Sequence, residues 1–205
     1  MSAASSIVVL DFETTGLSPQ QGDRAIEIGA VKLKQGVVVD RFQELMNPGF
    51  RISSFIEQYT GISNQMLEQA PSVASVMSDF ADFIDGSHLV AHNASFDQKF
   101  LAAELARINL EQSQPFACSL LLARRLFQNS PNHQLGTLVS YLAIENDGVF
   151  HRALNDAEVT ASLWLALNDA VINRWSCSAP SFELMLALQR QPKQQLDQFM
   201  RRWQG

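Results

Sequence analysis

The sequence predicts an α/β protein with a mixed five-stranded sheet, three antiparallel strands first, flanked by helices. Three observations carry this. Ile7-Val-Val-Leu10 has the composition of a buried strand. Residues 24–34 alternate apolar and polar, and Gln35-Gly36 joins them to a second extended run, Val37 to Phe42, as in a hairpin. Beyond residue 84, short strand candidates alternate with helical spacings, which argues for a sheet that turns parallel.

Asn47-Pro48-Gly49 ends the third strand, and Ser63 caps a short helix at 64–69 that Pro71 closes. Val73, Val76, Met77, Phe80, Phe83 and Ile84 then repeat at helical spacing until Asp85-Gly86 breaks the pattern. His88 to His92 reads as a strand, 93–109 as a helix, 116–118 as a strand, and helix follows to about Phe127. Residues 135–143 form a short helix and Asn155 to about Trp175 a long one. Residues 176–180 are a linker, and helical patterns resume over 181–190 and 192–203.

A chain of 205 residues with 46% hydrophobic content supports a full core in one domain with room for a small appendage, without disulfides. Cys118 and Cys177 stand far apart, as buried thiols in a reducing, cytoplasmic setting. Met1 to Ser6 lacks the basic segment of a signal peptide, and no apolar run reaches the ~18 residues of a membrane span. The net charge of −6 argues against tight binding of long duplex. It is unevenly placed: residues 190–205 carry +3 and the first 189 carry −9. Divalent cations held by acids would return positive charge locally and let an acidic protein grip one end of a polyanion.

The chemistry centres on the end of the first strand. Asp11 and Glu13 flank Phe12, so both carboxylates point to one face, roughly 6–7 Å apart, and Phe12 to the other. Two acids closing a hydrophobic strand repel each other unless something positive lies between them, and a hard cation with oxygen ligands fits. The plain alternative is a strand end running into solvent. Asp97 sits just inside a helix start, where Asn93 or Ser95 can cap and the helix dipole favours an acid, yet it shares a face with Leu101 and Glu104 and so points inward. Asp156 opens another helix, above an apolar stripe of Leu163, Trp164 and Leu167. His151 lies in the approach to that helix, free to hang over the site. His88 and His92 on a strand lie about 13 Å apart, too far to share an ion. Together, four carboxylates can hold two Mg2+ or Mn2+ ions that clamp both oxygens of a phosphodiester, and an imidazole can take the proton of the attacking water.

Three stretches then match a known pattern: Asp11-Phe-Glu-Thr-Thr-Gly-Leu17, Val90-Ala-His-Asn-Ala-Ser-Phe-Asp97 and His151-Arg-Ala-Leu-Asn-Asp156-Ala157. With Tyr59-Thr-Gly-Ile-Ser63 through Ala70-Pro71, in this order and spacing over about residues 6–173, the chain resembles the DnaQ-like, or DEDDh, 3′–5′ exonucleases, which include the proofreading epsilon subunit of bacterial DNA polymerase III. The resemblance implies a ribonuclease H-like fold, with the exonuclease domain at 1–175 and a C-terminal helical extension at 176–205. It implies that Asp11, Glu13, Asp97 and Asp156 hold the metals and that His151 is the general base. The activity implied is release of nucleoside 5′-monophosphates from a single-stranded DNA 3′ end. Thr14 and Gly16 would bring backbone amides to the terminal nucleotide, and Phe96 would either press on its base or serve as a core residue of the helix start. Cys118-Ser119 departs from the Asp-Thr that members often carry, which puts local helix capping in doubt.

Two alternatives stay open: an RNA-trimming exoribonuclease, since the motifs read phosphate chemistry rather than sugar, and a polymerase- or clamp-associated module with secondary activity. Gln195 to Phe199 loosely resembles peptides that bind sliding clamps, but an amphipathic helix packed on the domain explains Leu196, Phe199 and Trp203 equally well.

Overall fold

The structure is a computed structural model that describes residues 6–145 and 152–203. Strand β1 (Ser6–Thr14) lies at the centre of a five-stranded sheet. On one side it pairs antiparallel with β2 (Ala25–Lys34), which pairs antiparallel with the edge strand β3 (Val37–Leu45). On the other it pairs parallel with β4 (Ser87–Ala91), and β4 pairs parallel with β5 (Phe116–Cys118). The sheet is mixed, as the sequence predicts.

Strand periodicity divides β1 between two cores. Val8, Leu10 and Phe12 face a cluster with α3 (Val73–Ile84) and α4 (Ser95–Arg107). Val9 faces the other cluster, built on the long helix α7 (Ala153–Trp175) together with α5 (Ser119–Leu126) and α6 (Leu135–Tyr141). Trp164 and Leu167 of α7 are fully buried there, each contributing about 2–3 kcal/mol by leaving water. The stripe below Asp156 is therefore a core stripe, as its spacing predicts.

Short helices α1 (Ser54–Thr60) and α2 (Asn64–Gln69) bury Ile52, Ile62 and Leu67 against Ile26 of β2. The Ser63 hydroxyl accepts from the Met66 amide, so Ser63 caps as expected, and the Ser72 hydroxyl accepts from the Ser75 amide and caps α3. Helix α1 was not legible: its exposed Phe55 and Tyr59 give no apolar stripe. Edge strand β3 shows Asp40, Arg41 and Glu44 to solvent, charges that discourage pairing with another chain.

Helices α8 (Phe182–Leu188) and α9 (Leu196–Arg202) close the chain. Phe182, Met185, Leu188 and Leu196 are buried in the α7 cluster, with Phe199 and Trp203 packed at its margin. Residues 195–199 thus lie as the docked amphipathic helix. No helix among the described residues is long and apolar enough to cross a membrane.

Candidate active site

The site forms where β1 outlasts its parallel neighbour. Strand β4 follows β1 only as far as Val9↔Val90, while β1 continues to Thr14. Beyond Val9 the edge of β1 that faced β4 is open, and the backbone donors there need other partners. On the β2 side pairing continues: Asp11 lies opposite Gly29 and Glu13 opposite Glu27, with an irregularity after Glu13.

Helix α4 fills the open edge. The amide of Phe12 donates to Asp97 Oδ1 at 3.2 Å. Asp97 is buried in the first turn of α4, where Ala94 stands at the N-cap without a side-chain cap. The expected capping by Asn93 or Ser95 does not occur. Asn93 instead takes φ +64°, a left-handed conformation that asparagine tolerates, and turns the chain from β4 into α4. A second buried acid, Glu104, fixes the helix. It accepts two bonds from Arg24 Nε (2.9 and 3.2 Å), one from Arg24 Nη2 (3.0 Å) and one from the Ala25 amide (3.2 Å), and it pairs with Arg107 at 3.1 Å.

Helix α7 comes down on the other face. A Cβ on Gly29 would overlap the backbone of Ala153 and Leu154, so only glycine lets the start of α7 lie directly on the sheet. Glu27, fully buried, ties that start down: Arg152 donates to it at 3.0 and 3.3 Å, the Ala153 amide at 3.2 Å, and Gln43 at 3.0 Å. Asp156 thereby arrives beside β1. One carboxylate oxygen each from Asp11, Glu13 and Asp156 lies within 4.8 Å of the others. Oxygens around one Mg2+ at about 2.1 Å are up to roughly 4.2 Å apart, and around Ca2+-sized ions more, so the three can meet one small cation with slight adjustment.

The electrostatics favour such an ion. Burial, then the charges of Asp97, Asp156, Glu13 and Glu27, hold the Asp11 carboxyl well above the usual range. Glu13 is pushed up to about 7 by burial and by Asp156 and Glu27, with Arg152 opposing. Asp97 is pushed up to about 8 chiefly by burial, although the Phe12 amide favours its ionised form. Among the described residues, Asp11, Glu13 and Asp97 have no ion pair.

Of the remaining expected residues, His151 lies outside the described residues. The Thr14 hydroxyl donates to the Gly16 carbonyl at 2.6 Å, which shapes the turn after β1. A Cβ on Gly16 would overlap the Asp23 carboxylate, and that carboxylate accepts from the Ser18 amide at 2.8 Å. Phe96 is half-buried, its ring 5.0 Å from Phe100, with Lys99 over its face. His88 packs on Phe182 (4.3 Å between rings), and His92 bonds Ser119 Oγ (2.9 Å) and the His133 carbonyl (3.0 Å), so the two do not share an ion. Cys118 stands at the N-cap of α5 without a side-chain cap, in line with the doubt raised by Cys118-Ser119. Sequence reading missed the anchoring acid Glu27. Its trace was the Glu in an otherwise buried Ala25-Ile-Glu-Ile-Gly29 run.

Comparisons with known proteins show what this chain resembles. A family model described as an exonuclease (RNase_T) matches residues 8–164. DNA polymerase III PolC-type of Oceanobacillus iheyensis is 43% identical over 170 residues, 82% of this chain and 12% of that protein. The 3′–5′ exonuclease DinG of Bacillus subtilis is 38% identical over 164 residues, 78% of this chain and 17% of that protein. The chain thus spans little more than a tenth of the length of the polymerases it matches. Among solved structures, Exonuclease X in complex with 5′ overhanging duplex DNA superposes with a TM-score of 0.68 at 26% identity, covering 89% of this chain and 99% of that one. The nuclease domain of 3′hExo, a DEDDh family member bound to rAMP, gives 0.67 at 22%, covering 87% and 96%, a likeness of fold. The fold is the ribonuclease H-like one.

Proposed function

The chain belongs to the exonuclease family whose model it matches, and from that premise we propose that it is a 3′–5′ exonuclease that shortens single-stranded DNA to nucleoside 5′-monophosphates with two divalent cations. The observation that carries the reading is the convergence of Asp11, Glu13 and Asp156 on one point, beside a buried Asp97. These carboxylates repel one another and are poorly solvated, so bound cations relieve both costs. Mg2+ or Mn2+, when bound, supplies a Lewis acid at the attacked phosphate and lowers the pKa of a bound water.

The chain's own residues have these roles. Asp11, Glu13 and Asp156 would hold one cation and Asp11 with Asp97 the second, Asp97 directly or through water, so that the pair would activate the attacking water and steady the leaving oxygen. The His151 imidazole removes the proton of the attacking water. The turn at Thr14 and Gly16 presents backbone amides to the terminal nucleotide, and Phe96 meets its base. Residues 1–175 form the catalytic domain and 176–205 an extension packed on it. DNA rather than RNA is inferred because the relatives near 40% identity are DNA polymerase III PolC-type chains, which also supports work beside a polymerase.

The test is digestion of end-labelled DNA and RNA oligomers of one sequence with Mg2+, with Mn2+ and with chelator. Metal-dependent release of mononucleotides from the DNA 3′ end is expected. Asp11→Asn or Asp156→Asn should lower the rate at least about 10³-fold while leaving the fold intact. Unchanged digestion by either variant refutes the assignment.

A further inference from the structure

Cations are unevenly used in this acidic chain. Six arginines (24, 41, 51, 107, 152 and 174) sit in ion pairs among the described residues. Arg124, Arg125, Arg190 and Lys193 do not, and the fold gathers them. Arg125 Nε donates to the Gln191 carbonyl at 2.9 Å, and the Cys118 amide donates to Gln189 Oε1 at 2.7 Å. These two bonds seat the turn between α8 and α9, with Arg190 and Lys193, against α5 and the end of β5. Arg124, Arg190 and Lys193 are exposed. The two segments that form this surface carry no acid: residues 112–144 contain no Asp or Glu, and neither do residues 184–196. The nearest acid beyond them on the C-terminal side, Asp197, is bonded to Arg174 (3.0 Å) and to the Trp175 indole (2.9 Å).

This surface lies at the same end of the sheet as the carboxylates. Cys118 is opposite Ala91 in the β4–β5 register, and β4 is next to β1. Two strand spacings, about 10 Å, separate β1 from β5, whose end carries the start of α5 and the bond to Gln189. Exposed Gln128 adds an amide donor, and Tyr141, 44% exposed, offers a ring on which a base can stack.

We propose that the acid-free surface formed by α5 and the α8–α9 turn, with Arg124, Arg190 and Lys193, binds the phosphate backbone of the substrate strand upstream of the nucleotides being cleaved. The proposal deepens the nuclease reading and rests on it for the identity of the strand. Cations here compensate the repulsion that a −9 body exerts on a polyanion. They give the C-terminal extension a task beyond packing.

The test uses the full chain and the variant Arg124→Gln/Arg190→Gln/Lys193→Gln, whose three sites are exposed and whose Arg125 is kept. Binding of a dye-labelled oligothymidylate of about twenty nucleotides is read by anisotropy in chelator, across NaCl concentrations. The variant should bind about tenfold more weakly, and its log-affinity against log-salt slope should be shallower by about 2, since single strands return roughly 0.7 per phosphate contact. Hydrolysis of a dinucleotide, too short to reach the surface, should be unchanged. Equal affinity and slope for the two proteins overturn the proposal and leave the surface to an acidic protein partner, and so does a wild type that fails to bind the oligomer. If patch-dependent binding is seen but neither protein hydrolyses any substrate, the surface stands and the nuclease reading falls. If the dinucleotide is cleaved and binding ignores the patch, the reverse holds.

Discussion

Two sets of carboxylates, all buried but the half-buried Asp11, lie side by side at one end of the sheet, and the chain treats them oppositely. Glu27 and Glu104 are each met by arginine and by a backbone amide at the start of an element, Ala153 for one and Ala25 for the other. They act as fasteners: Glu104 holds α4 and Glu27 holds α7, the two helices that carry Asp97 and Asp156. Asp11, Glu13 and Asp97 have no such cation among the described residues, and their carboxyls are pushed upward. The same fold thus neutralises its anchoring acids from within and gives Asp11, Glu13 and Asp97, proposed to hold cations, no such partner among the described residues. Stability is spent at the site and recovered one layer behind it.

The largest way to break that contrast is to remove a fastener. Glu104→Gln keeps the shape but faces two arginines and an amide with a neutral group, leaving buried donors poorly matched. Because Arg24 and Arg107 retain some solvent, a loss of about 3 kcal/mol is expected in chemical denaturation rather than the upper end of the range for buried pairs. Activity should fall with it, since Asp97 rides on the same helix.

Removing an acid of the proposed site should have the opposite sign. Asp97→Asn keeps an oxygen for the Phe12 amide and deletes a charge the interior resists. The unfolded carboxyl titrates near 3.8 and the folded one near 8, so the folded state binds the proton more tightly. Its contribution is complete below about pH 4 and is lost as pH rises through 8, and Glu13 adds a parallel loss up to about 7. Metal-free wild type should therefore melt at lower temperature at pH 8 than at pH 5. Asp97→Asn should flatten that dependence and gain on the order of 2 kcal/mol at pH 8. Added Mg2+ or Mn2+ should raise the melting temperature of the wild type at pH 8 and leave Asp11→Asn nearly unmoved. A metal-free wild type with a flat profile would refute the electrostatic account.

The clustering of Asp11, Glu13, Asp97 and Asp156 was legible in the sequence and the fasteners were not, for a physical reason. Asp11 and Glu13 declare themselves by strand period, and Asp97 and Asp156 by position at a helix start, all local signals. Glu27 and Glu104 take their meaning from partners 125 and 80 residues away. Nothing nearby announces the pairing: Glu27 reads as one polar residue in an alternating strand, and Glu104 as one position on a helix face. The central and flanking elements were legible because each has a full apolar face or a serine cap. Helix α1 was not, being seven residues long with aromatic side chains turned to solvent. The Asn93 turn was misjudged because a capping residue and a left-handed hinge call for the same amino acid.

The finest test asks whether burial, rather than the arginine–glutamate pair itself, makes a fastener. Arg41 on β3 meets Glu158 on α7 at 2.7 Å, a shorter contact than Arg24 to Glu104 at 2.9 Å, and it joins elements 117 residues apart. Its side chains are 56% and 40% exposed, however, against 23% and 0% for the other pair. In water the attraction is screened and each partner is well solvated alone, so the pair is worth less than about 1 kcal/mol. Arg41→Gln should shift the denaturation midpoint barely, and 0.5 M salt should erase even that, whereas the Glu104→Gln loss should persist in salt. A comparable loss from both variants would mean that geometry alone sets the strength of these ties and that desolvation has no part in separating the two sets of acids.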